Sequence, residues 1–163
     1  NVFYRAAGGS FGAVFSHGGH DNTVRNCVFI DCSLALGSAP WPDKHWREWL
    51  TGDLWQEKLR REVDITKSPF ADRYPDARDL LEFSGEPRRN HALANVIVNC
   101  RKLQTGNWEL SDSLVTDKDP GFVDASRLNF RLREDSIVFK RLPSFGPIPF
   151  AEIGMQRPVR SGR

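Results

Sequence analysis

The sequence predicts an all-β solenoid, in which short parallel strands stack in a few coils, with a helical insertion and an irregular C-terminal cap. Three stretches resemble one another, the segment between the second and third has helical spacing, and the chain ends in a proline-rich stretch. At 163 residues the chain suits one domain. We expect a single domain over 1–163, with coils at 1–35 and 84–125, the insertion at 36–83, and the cap and tail at 126–163.

The three similar stretches are NVFYRA (1–6), CVFIDC (27–32) and NVIVNC (95–100). Each begins with Asn or Cys, continues with three apolar or aromatic residues and one polar residue, and ends with a small residue or Cys. Short runs rich in Val, Ile, Phe and Tyr between polar residues are typical of strands. The first two stretches begin 26 residues apart, at positions 1 and 27, which fits one solenoid turn of about 20–45 residues.

Stacking of these stretches places equivalent residues side by side. Asn1 and Asn95 are expected at one corner, where an amide side chain can satisfy backbone groups that a turn leaves unpaired. The spacing of Cys27, Cys32 and Cys100 suits neither a zinc knuckle nor a disulfide scaffold, which favours buried free thiols. Cys32 and Cys100 should stack, with side chains that point alongside rather than toward each other.

The spacing of the apolar residues in the insertion predicts two short helices. Within WPDKHWREWLTGDLWQEKLRREVDI (41–65), Trp46, Trp49 and Leu50 recur at helical intervals, and Thr51-Gly52 marks a break. Four of the five tryptophans lie in this segment. Tryptophan can form a platform for sugar rings, but aromatic residues at helical spacing more often pack a helix onto the body of a protein. Both interpretations stay open at this point.

The strongest family resemblance lies in HGGHDNTVRNCVFIDC (17–32), DPGFVDASRLNFRLREDS (119–136) and FGPIPFAEIG (145–154). Together with NVIVNC, these segments resemble the C-terminal part of bacterial right-handed parallel β-helix repeat proteins, the pectate-lyase-like solenoids. The family commonly has Ser-Pro where this chain has Ser136-Ile137. The resemblance implies a right-handed parallel β-helix of a few coils and a secreted or periplasmic location.

The same resemblance implies a carbohydrate-active protein whose partner is a polysaccharide or oligosaccharide. A fragment of a glycoside hydrolase is favoured narrowly, so an enzyme is expected. The alternatives are a polysaccharide lyase and a non-catalytic solenoid cap that binds glycan or protein. Such proteins have more coils before this region, so self-association through an exposed N-terminal coil edge is a further expectation. A net charge of +2 gives no argument for a nucleic-acid partner. No membrane partner and no cofactor are expected.

The candidate catalytic residues are His17, His20, Asp21 and Asp31. The first three lie in FSHGGHDN (15–22), where His20 beside Asp21 suits acid–base chemistry. Gly-Gly followed by Asp-Asn is also what a sharp turn needs, so a purely structural turn is the alternative. A metal held by the two histidines and Asp21 is a weaker alternative, and the prediction is that no metal is bound.

The candidate substrate-binding residues are Arg5, Trp46, Trp49 and Asn99. Arg5, Asp31 and Asn99 occupy the same polar position in the three similar stretches, so they should form a strip across neighbouring coils. The strip can bind sugar hydroxyls, or it can be a solvated ladder with a weak ion pair. The main support for the enzymatic hypothesis would be the convergence of His17, Asp21 and Asp31 in one open groove.

Overall fold

The computed structural model describes residues 1–82 and 85–153, and the chain folds as a mixed α/β structure. Helices and strands each account for 26% of the chain, and the strands form four small separate sheets, of which three are parallel and one is antiparallel. The prediction of an all-β right-handed parallel β-helix is therefore wrong. Strands of only three or four residues leave as much of the chain in the helical segments as in the sheets.

The described residues form eleven strands. They are β1 (Val2–Tyr4), β2 (Val14–His17), β3 (Thr23–Arg25), β4 (Val28–Ile30), β5 (Leu36–Ala39), β6 (Asn90–Leu93), β7 (Val96–Val98), β8 (Trp108–Ser111), β9 (Leu114–Thr116), β10 (Phe122–Asp124) and β11 (Asn129–Leu132). The α-helices are α1 (Asp43–Thr51), α2 (Asp53–Gln56), α3 (Phe70–Arg73) and α4 (Ile137–Arg141). The segment Glu57–Glu62 continues α2 as a π-helix, and 3-10 turns span Pro75–Glu82, Ala125–Arg127 and Phe150–Glu152.

The largest sheet joins the three similar stretches of the sequence. Its strand order is β1-β4-β7-β9, all parallel. Val2 pairs with Val28, which pairs with Val96, so the predicted alignment of the three stretches is confirmed. A parallel strand that is buried on both faces reads as a continuous apolar run rather than an alternating one. That double burial explains the runs VFI and VIV in β4 and β7, whose residues are all buried.

One face of this sheet packs against the other two parallel sheets. The ring of Phe29 is fully buried and stacks on that of Phe3, with centroids 4.8 Å apart. Ile97 continues the same row, and Leu36 and Trp108 pack against it from the other sheets. These side chains form a core enclosed by the three parallel sheets.

The C-terminal segment covers the opposite face of the four-stranded sheet. Val28, Ile30, Val96 and Val98 point to this side, and they pack against buried apolar residues of the C-terminal segment, which are Phe122, Phe130, Val138, Leu142 and Phe145. The expectation of a cap at the end of the strand stack is therefore wrong, since this segment adds a layer to the face of the sheet. Residues 154–163 of the predicted tail lie outside the described residues.

An asparagine side chain joins this layer to the sheets. Asn26 donates from Nδ2 to the carbonyl oxygen of Gly146 at 3.0 Å, and its Oδ1 accepts from the Gly146 N–H at 2.6 Å. A second link is the hydrogen bond from the Ser144 hydroxyl to the Asp112 carboxylate. The C-terminal layer is therefore held by polar contacts as well as by apolar packing.

Two smaller parallel sheets, β2-β5 and β3-β6-β8, complete the enclosed core. The corner between β3 and β4 depends on Asn95, which is fully buried. Its Oδ1 accepts from the Cys27 N–H at 2.9 Å, and its Nδ2 donates to the Val24 carbonyl at 2.9 Å. The predicted role of Asn95, an amide that satisfies unpaired backbone groups at a corner, is confirmed.

The helical segment lies between β5 and β6. Helix α1 ends at Thr51 and α2 begins at Asp53, so the predicted pair of helices and the break between them are confirmed. Trp46 and Leu50 of α1 are buried together. None of the helices in residues 1–82 and 85–153 has the length and apolar character of a membrane span.

Candidate functional site

The stretch 15–22 forms a corner between β2 and β3 that its own polar groups stabilise. Ser16 donates its hydroxyl to the carbonyl oxygen of Gly19 at 3.0 Å, and Asn90 donates from Nδ2 to the same oxygen at 3.0 Å. Asn22 donates from its side chain to Asn90 Oδ1 at 2.9 Å. These contacts agree with the interpretation of this stretch as a structural turn.

A row of aromatic rings runs across the surface beside this corner. Successive ring centroids of Phe11, Phe15, His17, Trp41 and Trp49 lie 4.8, 6.0, 4.0 and 4.7 Å apart. His17 and Trp41 stack with their planes 9° apart, while the other pairs meet edge to face. Phe11 is 58% exposed and Trp49 is 42% exposed. We call these five residues the aromatic row.

Small residues on the neighbouring strand leave room for the rings. Phe15 and His17 are two residues apart in β2, so they point to the same face of their sheet. Their partners in β5 are Gly37 and Ala39. A Cβ atom at Gly37 would lie 2.7 Å from the Phe15 ring. The ring of Phe15 therefore lies directly over the backbone of β5.

Two glycines seat the Trp41 ring and backbone. Gly18 has a φ of +67°, and a Cβ there would overlap the Trp41 ring. Gly85 has a φ of +75°, and a Cβ there would lie 2.7 Å from the Trp41 carbonyl oxygen. The Trp41 N–H also donates to the Gly85 carbonyl at 2.9 Å. Because glycine alone adopts this backbone region without strain, both positions fix where Trp41 lies.

Polar side chains line a cleft beside the aromatic row. It has a volume of about 310 Å³ and contains the Phe15 ring. Its other lining residues include Ser10, Ser33, Arg101 and Lys102. Hydroxyl groups and cationic side chains thus lie next to an aromatic surface, which is the combination that ligand sites use to orient a polar molecule.

A second cleft, of about 530 Å³, lies on the other side of the corner. Its lining residues are His20, Asp21, Phe70, Arg73, Tyr74, Pro75, Asp76 and Ala77. Two of the predicted catalytic residues therefore meet here, against aromatic side chains from α3 and the residue after it.

Asp21 in this second cleft is fully engaged by its neighbours. Its Oδ1 accepts from Arg89 Nε at 2.5 Å, and its Oδ2 accepts from Arg89 Nη2 at 2.8 Å and contacts Nδ1 of His20. The hydrogen bonds from the Arg89 guanidinium, with a smaller contribution from His20, lower the pKa of Asp21 to about 2. A carboxyl group with this pKa is ionised at neutral pH, so Asp21 orients its neighbours and cannot serve as a general acid.

The strip of Arg5, Asp31 and Asn99 is present as predicted. All three lie at left-handed corners, with φ values of 49°, 52° and 50°. Asn99 donates from Nδ2 to Asp31 Oδ1 at 2.8 Å, and Arg5 Nε lies 3.7 Å from Asp31 Oδ2. The strip lines an open cleft of about 730 Å³, which also contains Cys32 and Cys100. Its function as a sugar-binding surface stays a prediction.

The four predicted catalytic residues lie on three different surfaces. His17 belongs to the aromatic row, His20 and Asp21 line the second cleft, and Asp31 belongs to the strip. The structure therefore brings together only the adjacent pair His20 and Asp21. The convergence that would be the main support for the enzymatic hypothesis is not observed among the described residues.

The predicted substrate-binding tryptophans have opposite environments. Trp46 is only 9% exposed and packs inside the helical segment, whereas Trp49 is exposed at the end of the aromatic row. Sequence reasoning missed Phe11, Phe15 and Trp41. The alternation of Phe15 and His17 along a strand was the signal that could have indicated a shared face for these two.

Within the described ranges, no three His, Cys, Asp or Glu side chains lie close enough together to hold a metal ion. Comparison of the chain with models of protein families, with curated proteins and with solved structures gave no match. The resemblance to β-helix repeat proteins therefore stays a prediction, and the argument for function depends on the site.

Proposed function

We propose that the protein binds a carbohydrate chain along the aromatic row. The observation that carries this proposal is the exposure of rings in continuous contact from Phe11 to Trp49. The C–H faces of sugar rings are apolar and pack on aromatic side chains, while the hydroxyls around them need polar partners. A row of several rings suits several consecutive sugar units.

The polar cleft that contains Phe15 favours a carbohydrate, rather than an apolar protein surface, as the ligand of the aromatic row. Ser10 offers a hydroxyl group, the Ser33 hydroxyl, which donates to the Ala7 carbonyl at 2.8 Å, can still accept, and Arg101 and Lys102 offer N–H donors within the same cleft. In residues 1–82 and 85–153, no ion pair involves Arg101 or Lys102. These donors can therefore bond to sugar oxygens without losing a carboxylate partner. A polysaccharide ligand and a secreted or periplasmic location belong to this proposal.

Binding is proposed in preference to cleavage because the candidate acids and bases are dispersed. Glycoside hydrolysis needs two carboxyl groups about 5–9.5 Å apart across one bond. Asp21 and Asp31 line different clefts, and the low pKa of Asp21 excludes it as the acid. A lyase needs a base beside a cation or metal that stabilises the anion formed.

Carbohydrate cleavage in the second cleft is the alternative function, and one observation favours it. Asp76 lines the same cleft as Asp21, so this cleft contains two carboxyl groups together with the aromatic rings of Phe70 and Tyr74. A screen of neutral and uronate-containing glycans for reducing ends and for unsaturated products tests this alternative. Turnover that Asp76→Asn abolishes would establish cleavage there.

Trp49→Ala tests the binding proposal. Loss of the half-exposed indole from the end of the row should cost about 1–2 kcal/mol of binding free energy, which is about a five- to thirtyfold increase in Kd. Titration calorimetry against the same glycan panel, with tryptophan fluorescence as a second readout, measures this change. Trp55→Ala is the matched control, because Trp55 is 36% exposed in α2 and belongs to no ring contact in the described residues.

Two results would overturn the proposal. One is the absence of binding to every glycan by correctly folded protein. The other is binding that Trp55→Ala weakens as much as Trp49→Ala does, since the ligand would then lie elsewhere on the helical segment.

A further inference from the structure

Cys32 and Cys100 bring two thiols together at one corner of the structure. Ile30 pairs with Val98 in the parallel sheet, and each cysteine follows its strand by two residues. This register places the two cysteines side by side, and the N–H of Arg101, the residue after Cys100, donates to the Cys32 carbonyl oxygen at 3.0 Å. Cys32 Sγ also lies 3.5 Å from the Ile30 carbonyl oxygen, and Cys100 Sγ lies 3.6 Å from that of Val98. Each sulfur atom thus lies near the carbonyl oxygen of the residue two positions before it, and Cys32 Sγ also lies 3.5 Å from the Phe3 carbonyl oxygen of β1.

This thiol pair has access to solvent through the open cleft of the strip. Both cysteines line that cleft, together with the side chains of Arg5 and Arg101. Cys32 is buried and Cys100 is half-buried, so a small molecule can reach the pair from the Cys100 side. Peroxides are small enough to reach the thiols through this cleft, whereas another protein is not.

The pair also has the acidity of a reactive site. A hydrogen bond from the Cys100 thiol lowers the pKa of Cys32 to about 7, despite the opposing effect of burial. The pKa of Cys100 is raised, because a second thiolate beside the first would lose that hydrogen bond and be repelled. One thiolate shared by the pair is thus present near neutral pH, and the thiolate is the form that reacts with peroxide.

We propose that Cys32 and Cys100 form a site of reversible oxidation, at which a hydroperoxide converts the two thiols into a disulfide. The thiolate sulfur attacks the peroxide O–O bond, forms a sulfenic acid and releases hydroxide or alkoxide. The second thiol then displaces the sulfenic oxygen as water, with formation of the S–S bond. Overall the two thiols lose two electrons and two protons, and hydrogen peroxide is reduced to two molecules of water.

The geometry of the sheet permits this bond with small side-chain movements. Neighbouring parallel strands lie about 4.8 Å apart, and the Cα atoms of disulfides lie about 4.4–6.8 Å apart. The side chains now point alongside each other, so both must rotate toward one another. A thiol added in excess can reverse the reaction through the same cleft.

Cys27 provides a control within the same chain. It is the remaining one of the three cysteines in the sequence, and it is buried at the opposite end of β4. Its Sγ lies 3.3 Å from the Arg25 carbonyl oxygen. Because Cys27 does not line the open cleft, it should keep its thiol under conditions that oxidise the pair.

The test is treatment of the folded protein with one to two equivalents of hydrogen peroxide at pH 7. We expect loss of two of the three thiols, a mass decrease of two hydrogen atoms, and a Cys32–Cys100 cross-linked peptide in a non-reduced digest, all reversed by dithiothreitol. Cys27→Ser should lose both of its remaining thiols in the same way. In Cys100→Ser, Cys32 should instead form one dimedone adduct, as expected for a trapped sulfenic acid.

The inference is overturned if the folded wild-type protein keeps all three thiols, if the cross-link involves Cys27, or if oxidation proceeds to sulfinic acid without a disulfide. The wild-type measurement requires no substitution, so it remains decisive if a variant fails to fold. None of these outcomes depends on glycan binding, because neither cysteine belongs to the aromatic row.

Discussion

The substitution Asn95→Ala tests the role of buried amide side chains in this fold. Asn95 is fully buried, and it satisfies the buried N–H of Cys27 and the partly buried carbonyl of Val24 at the corner between β3 and β4. Alanine leaves both backbone groups unpaired. Each unpaired buried group costs about 1–3 kcal/mol, so the loss of both partners should lower the free energy of unfolding by about 2–6 kcal/mol. For a chain of this length the midpoint of thermal unfolding should fall by about 5–20 °C.

Urea and thermal denaturation followed by circular dichroism measure this loss. Asn90→Ala should show a loss of similar size, because Asn90 is equally buried and bonds to the backbone of Asn22 at 3.1 Å and of Gly19 at 3.0 Å. Asn129→Ala is the control, since Asn129 is half-buried and makes only a 3.4 Å contact with the Arg131 N–H. Losses below about 1 kcal/mol for both buried asparagines would refute the reasoning, because water would then have replaced the amides.

Two further predictions concern the charge of Asp21 and the enclosed core. Because folding lowers the pKa of Asp21 from 3.8 to about 2, its ion pair should stabilise the fold fully above about pH 4 and lose this effect as pH falls toward 2. Asp21→Asn should therefore be less stable than wild type by about 1 kcal/mol at pH 7 but equal to it near pH 2, in denaturation curves at several pH values. Equal stability at both pH values would contradict the contribution of this pair. Phe29→Ala should lower the free energy of unfolding by about 3–5 kcal/mol in the same assay. The control Val115→Ala should lower it by less than about 1 kcal/mol, because the Val115 side chain is 52% exposed. Similar losses for the two variants would show that the enclosed core is not the main source of stability.

The pairing of the three similar stretches could be predicted because it depends on local features of each stretch. A run of three apolar residues between polar corners is visible without knowledge of the rest of the chain. Once the stretches are aligned, Arg5, Asp31 and Asn99 must lie side by side, and the structure has them so. The neighbouring positions of Cys32 and Cys100 have the same origin.

The layer over the outer face could not be predicted in this way. An apolar run such as VFI indicates a strand covered on both faces, but it does not show which part of the chain covers each face. The residues that cover it, including Phe130 and Leu142, follow β4 by about a hundred positions. The sequence pattern therefore indicated strands correctly while it gave the wrong fold class.

The aromatic row of the candidate site could also be predicted only in part from the sequence. Phe15 and His17 share a strand face, but Trp41 and Trp49 come from the helical segment. Their contact with His17 depends on the path of that segment over the sheet. A residue-type argument placed Trp46 and Trp49 in one class, although Trp46 is buried and Trp49 is exposed.

The contact between the Trp41 N–H and the Gly85 carbonyl means that the helical segment leaves and rejoins the sheets at almost the same point. Because the two ends of the segment meet, we expect that a short turn can replace it without altering the register of the strands on either side. Such a deletion between Trp41 and Gly85 would also remove Trp49 from the aromatic row. We therefore expect strand pairing to survive the loss of the segment, whereas glycan binding along the proposed row should not.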